Sequence, residues 1–355
     1  MKIHLQNRIK KIKQIININF LISNLKNIQY LTGFTGNWAK ILITPEKNFF
    51  FTNSCYYEEV KNKIKNFEII LCKNSLADSL KNIFKKFKIK KLYFEENYFS
   101  YQEYKNLSQQ LHSIKFIPSN NLIEKIREVK DDDEIKLLKK AAKIGDKAFQ
   151  YLLNFIKPDL KEIEVSIELD YFIKKNGGDK IPFDYIIAFG KNCAYPHATA
   201  TNKKLKKDEM ILFDFGVNYK AYNSDITRTI FLGKASEKYK KIYNIVLSAQ
   251  KIVLEKIKPN IECGKLDLLA RNFIDKQGFG KYFIHGLGHG IGLDVHENPY
   301  LSKQNNERLK ENTVVTIEPG IYIPGWGGIR IEDMVFLGKN KIEILTKSPK
   351  EMIEL

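Results

Sequence analysis

The chain has 355 residues, 43% of them hydrophobic and 28% charged, which suits two globular domains at roughly 100–200 residues each. No apolar run approaches the roughly 18 residues of a membrane-spanning helix, so no membrane partner is expected. The net charge of +18 (59 basic and 41 acidic residues) does not single out nucleic acid as a partner either, because the lysines are spread along both halves without a basic arm or RNA-binding signature.

The basic stretch at residues 1–27 carries a short apolar run broken by Asn, with no small-residue cleavage site after it. It reads as a helix leading into a strand and not as a signal peptide. FLIS (20–23), AKILIT (39–44), NFFFT (48–52), FEIILC (67–72), KLYFEE (91–96) and IKFIP (114–118) are rich in β-branched and aromatic residues and predict strands. Between them YYEEVKNKIK, SLADSLKNIFKKF and YQEYKNLSQQL carry apolar residues at helical spacing. This alternation predicts an α/β N-terminal domain. The pattern breaks at IREVKDDDE (126–134), so the boundary is placed near residue 125, giving domains 1–125 and 126–355. Asp131 to Asp133 fit the first turn of a long helix, where carboxylates complement exposed N–H groups. That helix, EIKLLKKAAKIGDKAFQYLLNFI, ends before Pro158. The second domain then reads helix, helix, strands, helix, helix, strands, an α+β order. Cys55, Cys72, Cys193 and Cys263 are scattered without a CxxC pair, as expected of reduced thiols in the cytoplasm, and they do not suggest a thiolate zinc site.

The second domain holds the candidate chemistry. Asp214 in MILFDFGVNY and Asp225 in AYNSDITRTIFLG lie in segments patterned like strands, with a Tyr-Asn-Ser turn between them. A buried carboxylate is costly unless something positive meets it. Either Asp alone would more often be a turn or edge residue; two on consecutive strands are a stronger signal. HGLGHGIGLDVHE follows, with three of the chain's six histidines, His285, His289 and His296. The HxxxH spacing suits a zinc-protease helix, but Gly286, Gly288, Gly290 and Gly292 argue against a helix, and no Glu adjoins His285. Glycines this dense suggest backbone passing close to another group, with the imidazoles aimed at a shared site. Glu318 in TVVTIEPGIYIPGWGG and Glu332 in IRIEDMVFLG each follow a β-branched run. Arg330, two residues before Glu332, falls on the same face of a strand, and for that pair alone a structural ion pair is the simpler reading. Together, four carboxylates and one imidazole suit divalent ions such as Mn²⁺, Co²⁺ or Zn²⁺. Two such ions about 3.5–4 Å apart can share bridging carboxylates and a water whose pKa they depress.

The order Asp214, Asp225, His289, Glu318, Glu332, with the two Asp positions spaced by eleven, resembles the ligand set of the pita-bread metallopeptidases. HGLGHGIGLDVHE, IEPGIY, GGIRIEDM and PHATAT (196–201, carrying His197) are similar to the aminopeptidase P and prolidase branch, and YLTGFTG (30–36) is similar to the opening of its creatinase-type N-terminal domain. The resemblance implies a creatinase-like α/β domain followed by an α+β pita-bread catalytic domain, and metal-dependent hydrolysis of Xaa-Pro bonds at peptide N-termini, with a dipeptidase as the alternative. It implies two metal ions, Mn²⁺ foremost. Asp214 would chelate one, Asp225 and Glu332 would bridge both, and His289 and Glu318 would complete the other's shell. Glu318 would also relay a proton, His197 and His296 would stabilise the tetrahedral state, and His285 and Arg330 would serve the prolyl side and orient ligands. Relatives of this type are commonly homodimers or larger homo-oligomers. The chain departs from the branch at Asn53-Ser54-Cys55-Tyr56, where an Asp-x-Arg-Tyr pattern is usual; the position bears on inter-subunit or substrate-entrance contacts. Creatinase-type hydrolases lack the metals and non-catalytic pita-bread binding proteins lose ligands, whereas all five residue types are present here.

Overall fold

In the computed structural model, which describes residues 2–15, 18–339 and 341–355, the β-branched and aromatic runs of the first 127 residues pair into one sheet. Its strands are β1 (Phe20–Ile22), β2 (Lys40–Ile43), β3 (Asn48–Thr52), β4 (Glu68–Leu71), β5 (Lys91–Glu95) and β6 (Lys115–Ser119), in the order β4-β3-β2-β1-β5-β6. The pairs β3–β4, β1–β5 and β5–β6 are parallel, and β1–β2 and β2–β3 antiparallel. Among the described residues six α-helices accompany the sheet: α1 (Lys2–Ile15), α2 (Leu25–Thr32), α3 (Tyr57–Lys63), α4 (Leu76–Lys86), α5 (Tyr101–Gln110) and α6 (Leu122–Arg127). The junction between α1 and β1 at residues 16 and 17, expected as part of a helix-to-strand passage, lies outside the described residues. Contacts divide the chain into Met1–Arg127 and Glu128–Leu355.

The second unit opens with α7 (Asp132–Phe155) and α8 (Glu162–Lys175). Asp131, expected in the first turn of α7, instead caps it: its carboxylate accepts the N–H groups of Asp133 and Glu134 at 3.1 and 3.0 Å, where a side-chain acceptor satisfies donors the helix leaves unpaired. Next come β7 (Ile186–Phe189), β8 (Glu209–Phe215), the hairpin β9 (Asn218–Tyr219) and β10 (Tyr222–Asn223), and β11 (Ile226–Leu232). The order β11-β8-β7 forms an antiparallel sheet. Then α9 (Glu237–Lys256) and α10 (Cys263–Lys276) precede β12 (Gly288–Gly290), β13 (Glu297–Leu301), β14 (Thr313–Ile317), β15 (Gly320–Ile323), β16 (Gly327–Arg330), β17 (Asp333–Leu337) and β18 (Ile342–Ile344). The second sheet runs β13-β12-β14-β17-β18, with β15–β16 as a separate hairpin.

Period-two alternation decides which way β8 presents Asp214. Ile211, Phe213 and Phe215 pack in the core that Ala148 and Leu152 of α7 share with Val165 and Leu169 of α8. Met210 and Leu212, on Asp214's face, join the other core, built on Tyr239, Val246 and Val253 of α9 and on Leu266 and Ile274 of α10. Asp214 is the polar end of that second face.

Candidate active site

Only Asp214 and His289 of the five carboxylate and imidazole candidates sit inside strands, β8 and β12. Asp225 directly precedes β11, Glu318 directly follows β14, and Glu332 lies in the link between β16 and β17. The expected Tyr-Asn-Ser turn is also displaced: Tyr222 and Asn223 form β10, and the turn is Lys220-Ala221, both at positive φ. Chain ends at strand termini can aim side chains freely, whereas a mid-strand carboxylate is bound to the pleat.

His289 reaches its place because Gly288 and Gly290 flank it. A Cβ at Gly288 would lie 2.1 Å from the Thr316 carbonyl oxygen and one at Gly290 2.3 Å from that of Asn298; no side chain fits either gap. The imidazole Nδ1 lies 3.0 Å from the Gly290 carbonyl. A carbonyl only accepts, so Nδ1 carries hydrogen, and Nε2 faces Glu318 Oε1 at 3.3 Å and Asp225 Oδ2 at 3.8 Å. Ligand atoms of Asp225, His289 and Glu332 all lie within 4.8 Å of one another.

Arg330 is the hub of the hydrogen bonding. It ends β16, so the expected shared strand face with Glu332 does not exist, and its ion pair is with Asp214, through Nη2. It reaches Glu332 through an intermediary. Nε donates to Thr227 Oγ1 at 3.1 Å, and that hydroxyl donates to Glu332 Oε2 at 2.7 Å. Thr227 is available because β11 pairs with β8 in the register Thr227↔Asp214. Arg330 Nη1 donates to the Tyr322 hydroxyl at 2.6 Å, which lies 2.9 Å from His285 Nε2. His285 Nδ1 sits 2.8 Å from the Gly286 carbonyl and so holds the hydrogen, leaving Nε2 to accept from Tyr322. Burial lowers the His285 pKa, consistent with that neutral ring. Thr316 serves Glu318 similarly: its hydroxyl donates to Glu318 Oε1 and accepts the His289 N–H, both at 3.0 Å. Sequence patterns gave no role to Tyr322, Thr227 or Thr316. Only for Thr227 did a signal exist, its place two residues after Asp225 in a strand that must pair with Asp214's.

The electrostatics call for positive charge. Burial pushes Asp225 well above the ordinary carboxylate range, and Glu332 and Asp214 push it further. Glu332 rises in the same way, from burial first and then from Glu318 and Asp214. Burial would raise Glu318 too, but the hydrogen bond and charge of His289 hold it down to about 2. For His289 burial acts to lower the pKa, and Glu318 more than reverses this. Among these groups Asp225 Oδ1 and Glu332 Oε1 are fully buried with no hydrogen-bond partner. Two buried carboxylate oxygens without a partner, crowded by further carboxylates, are costly to ionise unless cations meet them. This donor set fits divalent metal ions held by carboxylates and imidazole.

The cluster opens on a cavity of about 600 Å³. His197, His285, His296 and Arg330 line it together with all five candidate ligands, and Phe183, Ile186 and Leu301 add apolar wall. The His296 ring stands 4.4 Å from that of His289. Desolvation lowers its pKa, and His289 lowers it further. Asn53 to Tyr56 belong to the first unit and are not among the cavity residues.

Residues 136–339 match the metallopeptidase family M24. The chain belongs to that family. Residues 8–129 match the creatinase/prolidase N-terminal domain, so the M24 chain pairs a creatinase-type α/β domain with a pita-bread catalytic domain, and membership implies divalent metal ions. It is 38% identical to an Xaa-Pro dipeptidase of Pyrococcus horikoshii, over 98% of each chain. It is also similar to the solved Xaa-Pro dipeptidase of Bacillus anthracis, at TM-score 0.96 and 39% identity over 99% of this chain and 100% of that one. An X-Pro aminopeptidase structure from Thermotoga maritima matches at TM-score 0.90 and 36% identity, over 97% and 100%. No helix among the described residues is long and apolar enough to cross a membrane.

Proposed function

We propose that this M24 peptidase hydrolyses the bond between an N-terminal residue and a following proline. The observation that carries the reading is the pair of buried, unpartnered carboxylate oxygens of Asp225 and Glu332, facing His289 at the floor of a cavity walled by histidines. The proposed catalytic domain is 126–355, following a creatinase-like domain 1–125 in the sequence.

Bound divalent ions, Mn²⁺ foremost, supply Lewis acidity and a water-derived nucleophile at neutral pH. Asp214, Asp225, His289, Glu318 and Glu332 would hold these ions. Thr227 and Thr316 fix the carboxylates of Glu332 and Glu318, and Arg330 fixes that of Asp214. Glu318 accepts a proton and returns it to the departing proline nitrogen. His197 and His296 donate to the oxygen on which negative charge develops. His285 has both ring nitrogens occupied, so it offers the substrate ring surface, which suits the apolar prolyl side.

Our preferred substrate class is a peptide longer than two residues, the Xaa-Pro aminopeptidase reading. The names of the Pyrococcus and B. anthracis relatives favour a second, the Xaa-Pro dipeptidase. The test is hydrolysis of Gly-Pro and of Gly-Pro-Yaa-Zaa peptides by metal-stripped protein, with Mn²⁺, Co²⁺ and Zn²⁺ added back separately and Asp225→Ala as the control. Metal-restored cleavage, absent in the variant, is expected; cleavage that ignores proline or metal would overturn the reading. The ratio of tetrapeptide to dipeptide turnover decides the class.

A further inference from the structure

Glu162, the first residue of α8, is fully buried, and no Lys or Arg among the described residues pairs with it. A carboxylate in that condition persists only where hydrogen bonds replace the lost water. Its partners all come from one loop, residues 189–201, which joins β7 towards β8. Oε1 accepts the Phe189 N–H at 2.8 Å and the Asn192 side-chain amide at 2.9 Å. Oε2 accepts the Thr201 N–H at 2.9 Å and the Thr201 hydroxyl at 2.5 Å. One oxygen therefore holds the start of the loop and the other its end. Backbone bonds keep the far end in place: Glu162 N donates to Lys203 O at 3.1 Å and Ile163 N to Thr201 O at 3.0 Å.

The middle of this loop is Pro196-His197-Ala198-Thr199, all on the cavity wall. A turn closed by Ala198 N to Tyr195 O at 3.2 Å presents His197 there, and Arg330 Nη1 holds the Pro196 carbonyl at 3.3 Å. We infer that Glu162 is the positioning residue for His197: by tying together the two ends of the 189–201 loop it fixes where the imidazole meets the substrate. No other side chain of its length can do this in place. An ionised carboxylate offers acceptors on both oxygens and no donor. Glutamine would turn an NH₂ group towards N–H donors at one end of the loop or the other.

The inference rests on the role given to His197 in the proposed function, and the test separates the two. Glu162→Gln, His197→Ala and the double variant are compared for kcat and KM on an Xaa-Pro substrate, with amide hydrogen exchange followed across 190–201. Glu162→Gln should lower kcat roughly tenfold to a hundredfold, as misplacement of about 1 Å does, with less change in KM and faster exchange confined to the loop. In the His197→Ala background the same substitution should cost almost nothing. Equal losses in both backgrounds, or unchanged exchange, overturn the inference. If Glu162→Gln does not fold, Thr201→Val, which removes one of the four donors, should show the same dependence on His197 at smaller amplitude. Failure of His197→Ala itself to reduce turnover counts against the functional reading, while hydrogen exchange still decides whether Glu162 holds the loop.

Discussion

Arg228 lies under the candidate cluster, 1% exposed, with all five of its N–H groups engaged. Nε donates to Pro349 O at 2.8 Å, Nη1 to Thr227 O at 2.9 Å and to Glu332 O, and Nη2 to Asp333 Oδ1 at 2.7 Å and Ser348 O at 2.8 Å. It thus holds the backbone on either side of the Thr227–Glu332 contact. Arg228→Met keeps most of the stem's packing and removes every one of these bonds. Breaking a buried ion pair by deleting one partner costs about 3–5 kcal/mol. Asp333 would keep Lys350 Nζ and Thr346 Oγ1, each at 2.8 Å, which puts the expected loss near the lower bound, about 3 kcal/mol. At roughly 2–4 °C per kcal/mol for a unit of this size, the thermal midpoint should fall by roughly 6–12 °C. Scanning calorimetry with parallel urea titration measures it. Lys350→Met removes only one of Asp333's cations, from a 19% exposed side chain, and should cost about 1 kcal/mol or less. The double variant leaves Asp333 buried without a cation and should lose clearly more than the two single losses added. A shift below about 2 °C for Arg228→Met, or simple additivity in the double variant, would refute this account of the network.

Tyr322→Phe removes the hydroxyl between Arg330 and His285 and leaves a buried guanidinium N–H and an imidazole acceptor short of a partner. A cost of about 1–3 kcal/mol in transition-state positioning corresponds to roughly 5- to 150-fold in kcat/KM, and steady-state kinetics showing no change would contradict it. Removing divalent ions should lower the thermal midpoint, since Asp225 and Glu332 then face each other uncompensated. Restoring Mn²⁺ to about 100 times its Kd should return about 2.7 kcal/mol, and Asp225→Ala should abolish that response. In the N-terminal unit, burial raises Glu95 to about 7, against the pull of hydrogen bonds from Asn24, Asn27 and Ser23. The folded state therefore binds more protons than the unfolded one between about pH 4.5 and 7, and its stability falls as pH rises through that window, by up to about 3 kcal/mol. Glu95→Gln should flatten this slope in urea titrations run from pH 4.5 to 8, and a slope that survives the substitution would contradict the assignment.

The strand and helix segments of the N-terminal unit were legible because each carries its own period and composition: NFFFT becomes β3 and LADSLKNIFKK becomes α4. The glycines beside His289 were legible as close backbone approach, and the Thr316 and Asn298 carbonyls supply that approach. What misled was treating Asp225 and Glu332 as strand residues. The β-branched runs around Asp225, Glu318 and Glu332 are strands, but pairing ends one residue short of each acid. A one-residue boundary is beyond what periodicity can fix. Asp131 illustrates the same limit at a helix end, where only the bond geometry separates a cap from a first-turn residue.

By itself the sequence determined which chemistry was on hand: acidic and imidazole side chains among apolar strands of one domain, and the motifs by which the chain resembles M24 peptidases. Those properties reside in residue type and short spacing, which need no folding to be read. The tertiary structure alone decided who touches whom. It paired Arg330 with Asp214 across 116 residues, brought the Thr227 hydroxyl to Glu332 across 105, and closed the His197 loop on Glu162 across 39. Each of these contacts depends on strand register and loop path, which are set by how two cores pack and leave no trace in local composition.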